Sequence, residues 1–179
     1  MANLDGFLNS LKGLATELIS SREQDSIVIA NDAIALVRRR VQTEKEDADG
    51  LEFGQYSQAV VPQWMLYNKS LSDGAEQRVK DGDWFQSYED LREANNLETD
   101  AIDFTFSGDM WRNTGITTVQ NTGFSTTVNL GGQTERASNI IGYQEERYGN
   151  IIAISDEEEQ LVIEAHEERI SNLINKYLG

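Results

Sequence analysis

The stretch that decides the fold of this chain is Ile102-Asp103-Phe104-Thr105-Phe106-Ser107-Gly108-Asp109-Met110-Trp111-Arg112. Its first half alternates apolar and polar residues, which is the period of a strand with one buried face. Ser107 and Gly108 then interrupt the alternation, as turn residues do. Asp109 is placed to cap a helix that Met110 begins. The stretch therefore predicts a strand, a turn and a helix start, and it marks where a sheet passes to the next element.

The residues that follow predict a β-hairpin. Two threonine-rich runs, Gly115 to Gln120 and Gly123 to Leu130, are separated by Asn121-Thr122. β-Branched residues favour strands, and a short polar pair between two such runs favours a turn. Gly131-Gly132 is expected to end the second strand.

The C-terminal part predicts two helices joined by a short strand. The segment from Glu135 to Arg147 has helical spacing, and Gly149 is placed to end that helix. Ile151 to Ile154 is a short apolar run that predicts a strand. Ser155 and Glu158 have the spacing of a capping box in front of the terminal helix. The side chains expected to face the core from the first helix are Ala137, Ile140, Ile141 and Tyr143.

The N-terminal part is helical in its spacing from Leu4 to Val41. Ser20-Ser21 and Asp25-Ser26 can break or cap a helix, so the pattern fits two helices or one bent helix. Thr43 to Gly50 is polar and predicts a surface loop. The apolar residues that carry the spacing at the start of this region are Leu4, Phe7, Leu11, Leu14 and Leu18.

The middle of the chain is less regular. Pro62 argues against a helix through the apolar segment from Tyr56 to Tyr67, which reads as irregular chain or a short strand. A second aromatic segment predicts a helix from about Trp84 to Asn95. Taken with the hairpin, these elements predict one α+β domain over residues 1–179. Its antiparallel sheet is built on the hairpin and packs against N-terminal and C-terminal helices.

Charge excludes several classes of function. The chain has 31 acidic and 15 basic residues, a formal net charge of −16 and a pI near 4.3, which is the wrong sign for gripping phosphates. It has no cysteine, so disulfides and thiolate metal sites are excluded. No apolar run has the length of a membrane span and no basic-then-apolar leader starts the chain, so we expect synthesis in the cytoplasm and no membrane partner.

Two groups of residues invite a chemical interpretation. Asp100, Asp103 and Asp109 are close enough in sequence to suggest a carboxylate cluster for a divalent cation. No complementary base or phosphate-binding loop accompanies them, so a role in turns and caps is favoured. His166 lies among glutamates on the terminal helix, where a solvated side chain is the expectation. The sequence therefore predicts no catalytic residue, no metal site and no cofactor.

The aromatic residues of the middle segments are better explained by packing, either in the core or against other subunits. Base stacking would need a basic groove, which the chain lacks, and aromatic side chains are enriched where proteins meet. The residues predicted to contact neighbouring subunits are Val60, Val61, Trp64, Met65, Tyr67, Trp84, Phe85 and Tyr88.

Several short motifs occur in a recognisable order along the chain. They are "D-A-D-G-x-x-F-x-x-Y-S" at 47–57, "Y-x-x-L-R" at 88–92, the opening stretch with its Asp103, Ser107, Gly108, Asp109 and Met110, "E-R-A" at 135–137, "R-Y-G" at 147–149 and the capping box at 155–158. In this order the chain resembles small virion morphogenesis proteins of tailed bacteriophages, the head-tail joining and tail-completion group that acts at the neck. Residues from about 60 to 85 depart from that pattern and look like an insertion. The high acidity departs from the more basic members of the group.

The resemblance implies a non-enzymatic structural subunit of the virion. Such a subunit forms a ring, sixfold or twelvefold, that connects the portal or adaptor side to the tail tube or tail terminator and lets DNA pass. A negative lumen would then repel the passing genome. Two alternatives remain open: an acidic DNA mimic that occupies a basic DNA-handling host protein, and a metal-dependent hydrolase that uses Asp100, Asp103 and Asp109.

Overall fold

A computed structural model of the chain describes residues 4–62, 73–82, 84–105, 107–123 and 125–179. The fold is α+β, as predicted, with N-terminal and C-terminal helices packed against a two-stranded antiparallel hairpin. In chain order, the elements are α1 (Leu4–Arg39) with a π-helical turn (Arg40–Glu44), α2 (Asp73–Asp81), α3 (Tyr88–Ala94), α4 (Asp109–Arg112), β1 (Thr114–Asn121), β2 (Thr126–Gly132), α5 (Glu135–Tyr148) and α6 (Asp156–Leu178).

Helix α1 runs without a break through Ser20-Ser21 and Asp25-Ser26, so the alternative of two helices is wrong. The hydroxyl of Ser20 donates to the carbonyl of Glu17 at 3.0 Å, and that of Ser26 donates to the carbonyl of Arg22 at 2.9 Å. A serine that bonds back to its own helix does not cap a new one. The π-helical turn ends at Lys45, whose φ of 65° turns the chain away from the helix axis.

Helices α1 and α6 lie antiparallel along most of their length. Lys176 pairs with Glu17 at 2.8 Å, and Arg169 pairs with Asp25 at 2.9 Å. At the other end of α6, the start of the helix meets the end of α1 through Arg40 and Glu158 at 2.9 Å. The two helices therefore form a long pair that frames the rest of the domain.

The hairpin rests on α1. Strands β1 and β2 pair in the register Ile116 to Leu130 and Asn121 to Thr126, with an irregularity after Ile116. The guanidinium of Arg22 donates to the carbonyl of Thr122 at 3.1 Å in the turn. The hairpin is confirmed, although β2 continues through the two glycines that were expected to end it. A Cβ on the second of them, at 132, would lie 2.3 Å from the backbone nitrogen of Ser138, so its lack of a side chain lets α5 approach.

Two of the predicted strands are wrong. Residues 102–105 are irregular because Asp103 accepts a hydrogen bond from the backbone amide of Thr105 at 2.8 Å and Phe104 has a φ of 53°. Residues 151–154 form bends in which Ile151 is buried and Ile154 is exposed. A strand needs a neighbour to pair its backbone groups, and neither segment pairs with a strand in the described part of the chain.

The predicted helix start after Gly108 is confirmed, but its cap is not Asp109. Gly108 is the N-cap, with a φ of 72°, and Asp109 is the first residue of α4. The hydroxyl of Ser107 accepts a hydrogen bond from the amide of Asp109 at 3.2 Å. Helix α4 thus begins on a serine turn, which leaves the Asp109 carboxylate to pair with the guanidinium of Arg112.

Helix ends elsewhere follow the sequence closely. In α6 both bonds of the predicted capping box are present, from Glu158 N to Ser155 Oγ at 3.2 Å and from Ser155 N to Glu158 Oε2 at 2.9 Å. Gly149 ends α5 as predicted. Helix α3 begins at Tyr88 rather than Trp84, because the Ser87 side chain caps it, and it ends at Asn95 as expected.

Tyr143 was expected in the core and is instead exposed.

Most of the buried apolar residues in the described part of the chain belong to one of two clusters. The central cluster is Val37, Val41, Phe53, Tyr56, Ile102, Met110, Trp111, Ile141 and Ile151. The side cluster is Val61, Ala75, Phe85, Leu91 and Ala94. Tyr88 packs against both. Within the described residues, no helix has the length and apolar character needed to cross a membrane.

Gly149 tests the end of α5. Its φ of 84° suits glycine, and a Cβ there would lie 2.7 Å from Oδ2 of the buried Asp47. We therefore expect Gly149→Ala to lower the free energy of unfolding by about 1–3 kcal/mol. Gly142→Ala is the matched control, because that glycine lies in the same helix with open space around it, and alanine should stabilise by about 0.4–1 kcal/mol. Urea unfolding followed by circular dichroism measures both, and equal signs would contradict this account.

Candidate functional site

Arg92 is the centre of the region formed by the sequence motifs. Its side chain is 1% exposed, and each of its three nitrogens donates a hydrogen bond. Nε donates to the carbonyl of Glu98 at 2.7 Å, Nη1 to that of Thr105 at 2.7 Å, and Nη2 to the carboxylate of Asp103 at 3.0 Å. Because a buried charge must be paired, these bonds hold the irregular segment 98–105 against α3.

Two tyrosines complete the surroundings of that guanidinium. The ring of Tyr56 lies 4.8 Å below it, and the Tyr56 hydroxyl donates to the carbonyl of Ala101 at 2.7 Å. Tyr88 lies beside Tyr56, with ring centroids 5.7 Å apart. Burial raises the pKa of both hydroxyls, against the opposing charge of Arg92. Both hydroxyls are therefore neutral at physiological pH.

Three rings from distant motifs meet next to this centre. Phe53 and Phe104 make an edge contact with centroids 4.6 Å apart, and Tyr148 lies 5.3 Å from Phe104 and 6.4 Å from Phe53. Edge contacts of this kind stabilise beyond simple burial. They place the motif at 47–57, the opening stretch and the "R-Y-G" motif in one body.

Buried polar groups join the remaining motifs. Asp47 accepts hydrogen bonds from the amides of Asp49 at 3.0 Å and Leu51 at 2.9 Å, so the predicted surface loop is anchored by a buried carboxylate. Arg40 donates to Glu158 at 2.9 Å and to the carbonyl of Ala153 at 2.7 Å. The capping box of α6 is thereby tied to the end of α1.

The three carboxylates considered for a metal site are used differently. Asp103 pairs with Arg92, and Asp109 pairs with Arg112 and, at 3.2 Å, with Arg136. The hydrogen bond from Arg112, followed by the one from Ser107, lowers the pKa of Asp109. Asp100 is exposed. Among the described residues, no group of three acidic, histidine or cysteine side chains is arranged to hold a metal ion.

His166 does not lie on the solvent face of α6, as the sequence suggested. It is half-buried against α1, beside a cavity of about 290 Å³ whose lining includes Glu17, Ser21, Asp25 and Arg169. Its Nδ1 is buried without a hydrogen-bond partner in the described part of the chain. His166 lies on the face of α6 that points toward α1. The glutamates around it in the sequence suggested an exposed face instead.

The residues predicted to contact neighbouring subunits are divided by the structure. Val61 and Phe85 are buried in the side cluster, where their backbones form an antiparallel bridge with N to O distances of 2.8 and 3.0 Å. Val60 and Trp84 beside them are exposed. In extended chain, neighbouring side chains point to opposite sides. Val61 and Phe85 therefore face the cluster, whereas Val60 and Trp84 remain on the surface.

The other predicted contact residues add less. Tyr88 is half-buried between the two clusters. Trp64, Met65 and Tyr67 lie outside the described residues. Among the described residues of this prediction, Val60 and Trp84 are therefore the exposed ones.

The described part of the expected insertion is fastened to α3. Arg78 in α2 donates to both oxygens of Asp90, at 2.5 and 2.7 Å, and its guanidinium lies 4.7 Å from the centre of the Phe85 ring. Asp90 also accepts from the amide of Gln86 at 2.8 Å. Helix α2 thus closes the side cluster from outside.

An exposed apolar surface was not predicted, because apolar residues at helical spacing were assigned to the core. Residues of this kind lie at the start of α1 and along α6. They are Leu4, Phe7, Leu8, Leu11, Leu161, Ile163, Ile174 and Leu178. Their spacing alone could not distinguish a face covered by the same chain from one left open.

No protein-family model matches the chain, and comparisons with characterised proteins and with solved structures found no match. The function is therefore argued from the order of the motifs and from the geometry above.

Arg92 tests the centre of the motif region. Replacing it with methionine would leave two carbonyls without their donor and the Asp103 carboxylate without its charge partner, so we expect Arg92→Met to lower the free energy of unfolding by about 3–5 kcal/mol. Arg136→Met is the matched control, because that side chain is 75% exposed and its loss should change stability by less than about 0.5 kcal/mol. Urea unfolding measures the free energy of unfolding of both variants, and a similar decrease in both would contradict the central role of Arg92.

Asp90 tests the attachment of α2 through pH. The hydrogen bonds from Arg78 hold its pKa below the ordinary value of 3.8. A lowered folded pKa stabilises the fold above 3.8 and loses that contribution as the pH falls through the folded value. We expect wild type to be more stable than Asp90→Asn at neutral pH, with the difference shrinking in acid below 3.8. Melting temperatures across pH measure this, and Glu89→Gln, at the exposed neighbour, should show no such trend.

Proposed function

We propose that this chain is a structural subunit of a tailed-bacteriophage virion, acting in a ring at the neck as a head-tail joining or tail-completion protein. In this role it connects the portal or adaptor side to the tail tube or tail terminator. The proposal starts from the order of short motifs along the chain, which resembles that protein group.

The observation that carries the proposal is the convergence of those motifs in space. Asp47 abuts Gly149, Arg92 holds Asp103, and Tyr148 packs on Phe104. The first and last of these pairs are far apart in sequence, so separate chance matches would have no reason to meet. Their meeting supports reading the motifs as parts of one structural unit.

The polar groups of this unit suit a subunit with a structural role. Arg92, Arg40 and Asp47 form their hydrogen bonds with backbone groups and buried partners. A catalytic group must instead be held ready for a substrate. The motif region therefore contributes a rigid body from which contact surfaces project.

The charge acquires a role in a ring. Each copy carries a net charge of −16, and several copies around a channel would create a negative potential that repels DNA phosphates. The genome would pass without binding to the wall. Such a ring should fail to retain double-stranded DNA even at low ionic strength, where attraction to a basic surface is strongest.

The acidic DNA mimic remains the second candidate, because the same charge favours it. A mimic acts alone by presenting carboxylates to a basic protein, and it has no need of a large exposed apolar surface. Here the apolar residues at the start of α1 and along α6 favour association instead.

The decisive experiment is genetic and structural. An early nonsense codon in the gene of the phage that encodes this chain should yield DNA-filled heads and separate tails in electron micrographs. The chain supplied from a plasmid should restore joined particles. Imaging of restored particles that carry a tagged copy should place the tag at the neck. Normal infectious particles without the chain would overturn the proposal, and tight capture of a basic host protein would then favour the mimic.

A further inference from the structure

The start of α1 carries an apolar seam that the described part of the chain leaves exposed. The seam consists of Leu4, Phe7, Leu8 and Leu11, and the alternating spacing of three and four from Leu4 through Phe7 and Leu11 continues to Leu14 and Leu18, as in a heptad repeat. Their exposure falls along the helix, from 68% at Leu4 through 52% at Phe7 and 37% at Leu11 to 9% at Leu14. Leu8 beside them is also exposed.

The reason for this gradient is the length of α6. Helix α6 ends beside Gly13, where a Cβ would lie 2.7 Å from the ring of Tyr177. The residues from Leu4 to Lys12 extend past that point by roughly 13 Å at the helical rise per residue. The exposed seam is therefore a direct continuation of the α1–α6 interface, and the natural cover for it is another apolar surface that takes over where α6 stops.

A matching surface lies at the other end of the same molecule. Helix α1, strand β2 and helix α6 border an open groove of about 320 Å³, lined mainly by apolar side chains. The apolar side chains that line it include Ile29, Ala33, Val128, Leu130, Ile154 and Ile163. A helix with an apolar seam fits a groove of this kind.

Electrostatics favours a second copy of this chain at these two places. The chain carries −16 overall, so copies repel each other over most of their surface. Between Leu4 and Lys12 the charges of Asp5 and Lys12 balance, and Glu159 is the one charged residue among the described residues that line the groove. Two copies that meet at these surfaces therefore bring few carboxylates together, compared with the rest of the chain.

Seam and groove of one molecule cannot meet. Leu8 and Ile29 lie on the same helix, separated by roughly 30 Å at the helical rise per residue. A contact between seam and groove therefore joins different copies, head to tail. Repetition of such a contact closes a ring when the rotation between copies allows it.

We propose that the seam at Leu4 to Leu11 of one copy occupies the groove of the next, and that this contact builds the homo-oligomer. The geometry comes from this chain alone, while the meaning of the ring rests on the proposed function. Each copy then covers one seam and offers one groove, so the assembly leaves neither surface exposed.

Engineered disulfides test this contact directly, since the chain has no cysteine of its own. Leu8→Cys with Ile163→Cys places one thiol in the seam and one in the groove, both at exposed positions. Under mild oxidation this double variant should give a ladder of dimers and higher species on a non-reducing gel, by about tenfold or more over each single variant, since disulfides need the thiols within bonding distance. Circular dichroism checks that the variants fold.

The matched control is Ile19→Cys with Ile163→Cys, because Ile19 is an exposed apolar residue of α1 away from the seam. It should stay monomeric. A dimer from Leu8→Cys alone would mean that seams meet each other, a ladder in the control would mean unspecific contact, and no ladder at the highest soluble concentration would mean no contact. Each of these results overturns the inference.

A second measurement separates the two surfaces. Phe7→Glu removes the seam and Ile163→Arg removes the groove, so each variant alone should sediment as a monomer. Mixed, they should form a one-to-one dimer and nothing larger, because only one seam and one groove remain. Absence of that dimer counts against the inference. The neck position of the chain in particles is measured separately, so either proposal can fail while the other stands.

Discussion

The buried guanidinium of Arg92 is the constraint on which the centre of the molecule depends. It sits on the ring of Tyr56 and donates to Asp103 and to two backbone carbonyls in the segment 98–105. That segment has no strand partner among the described residues, so its carbonyls would otherwise lack these donors. Arg92 supplies the hydrogen bonds that a neighbouring strand would give. The irregular segment 98–105 that it holds in place brings Phe104 into contact with Phe53 and Tyr148.

The long pair of α1 and α6 sets the outer dimensions. Ion pairs at Glu17 and Asp25 align the two helices, and Arg40 fastens the beginning of α6 to the end of α1. Exposed ion pairs contribute little each, whereas the Arg40 to Glu158 pair is buried and joins the capping box to two loops. Because α6 is shorter than α1, the pair is unequal, and the apolar seam at the start of α1 follows from that difference in length.

Acidity and apolar surface act in opposite directions in this chain. The net charge of −16 keeps copies apart and repels phosphates. The apolar residues at the start of α1 and in the groove favour contact. A protein with both properties is suited to an assembly whose contacts are few and defined, with an acidic surface elsewhere. This balance is the physical basis for proposing a ring around passing DNA.

Features set by neighbouring residues were predictable from the sequence. The hairpin follows from β-branched runs around a polar turn, the capping box from Ser155 and Glu158, and the end of α5 from Gly149, because each depends on groups a few residues apart. The alternation of apolar and polar residues from Ile102 to Thr105 wrongly predicted a strand. An irregular segment whose polar groups bond to side chains can show the same alternation. Val61 and Phe85, predicted on the surface, went to the core because they bridge each other.

The sequence by itself therefore determined the fold class, the hairpin, the capping box of α6 and the end of α5, through local hydrogen bonding and periodicity. The tertiary structure decided which apolar faces are covered and which motifs meet. Those outcomes depend on contacts between residues far apart, such as Arg40 with Glu158, Gly149 with Asp47, and the end of α6 beside Gly13. Periodicity shows that Leu4, Phe7 and Leu11 share a face, but only the length and position of α6 show that this face is open.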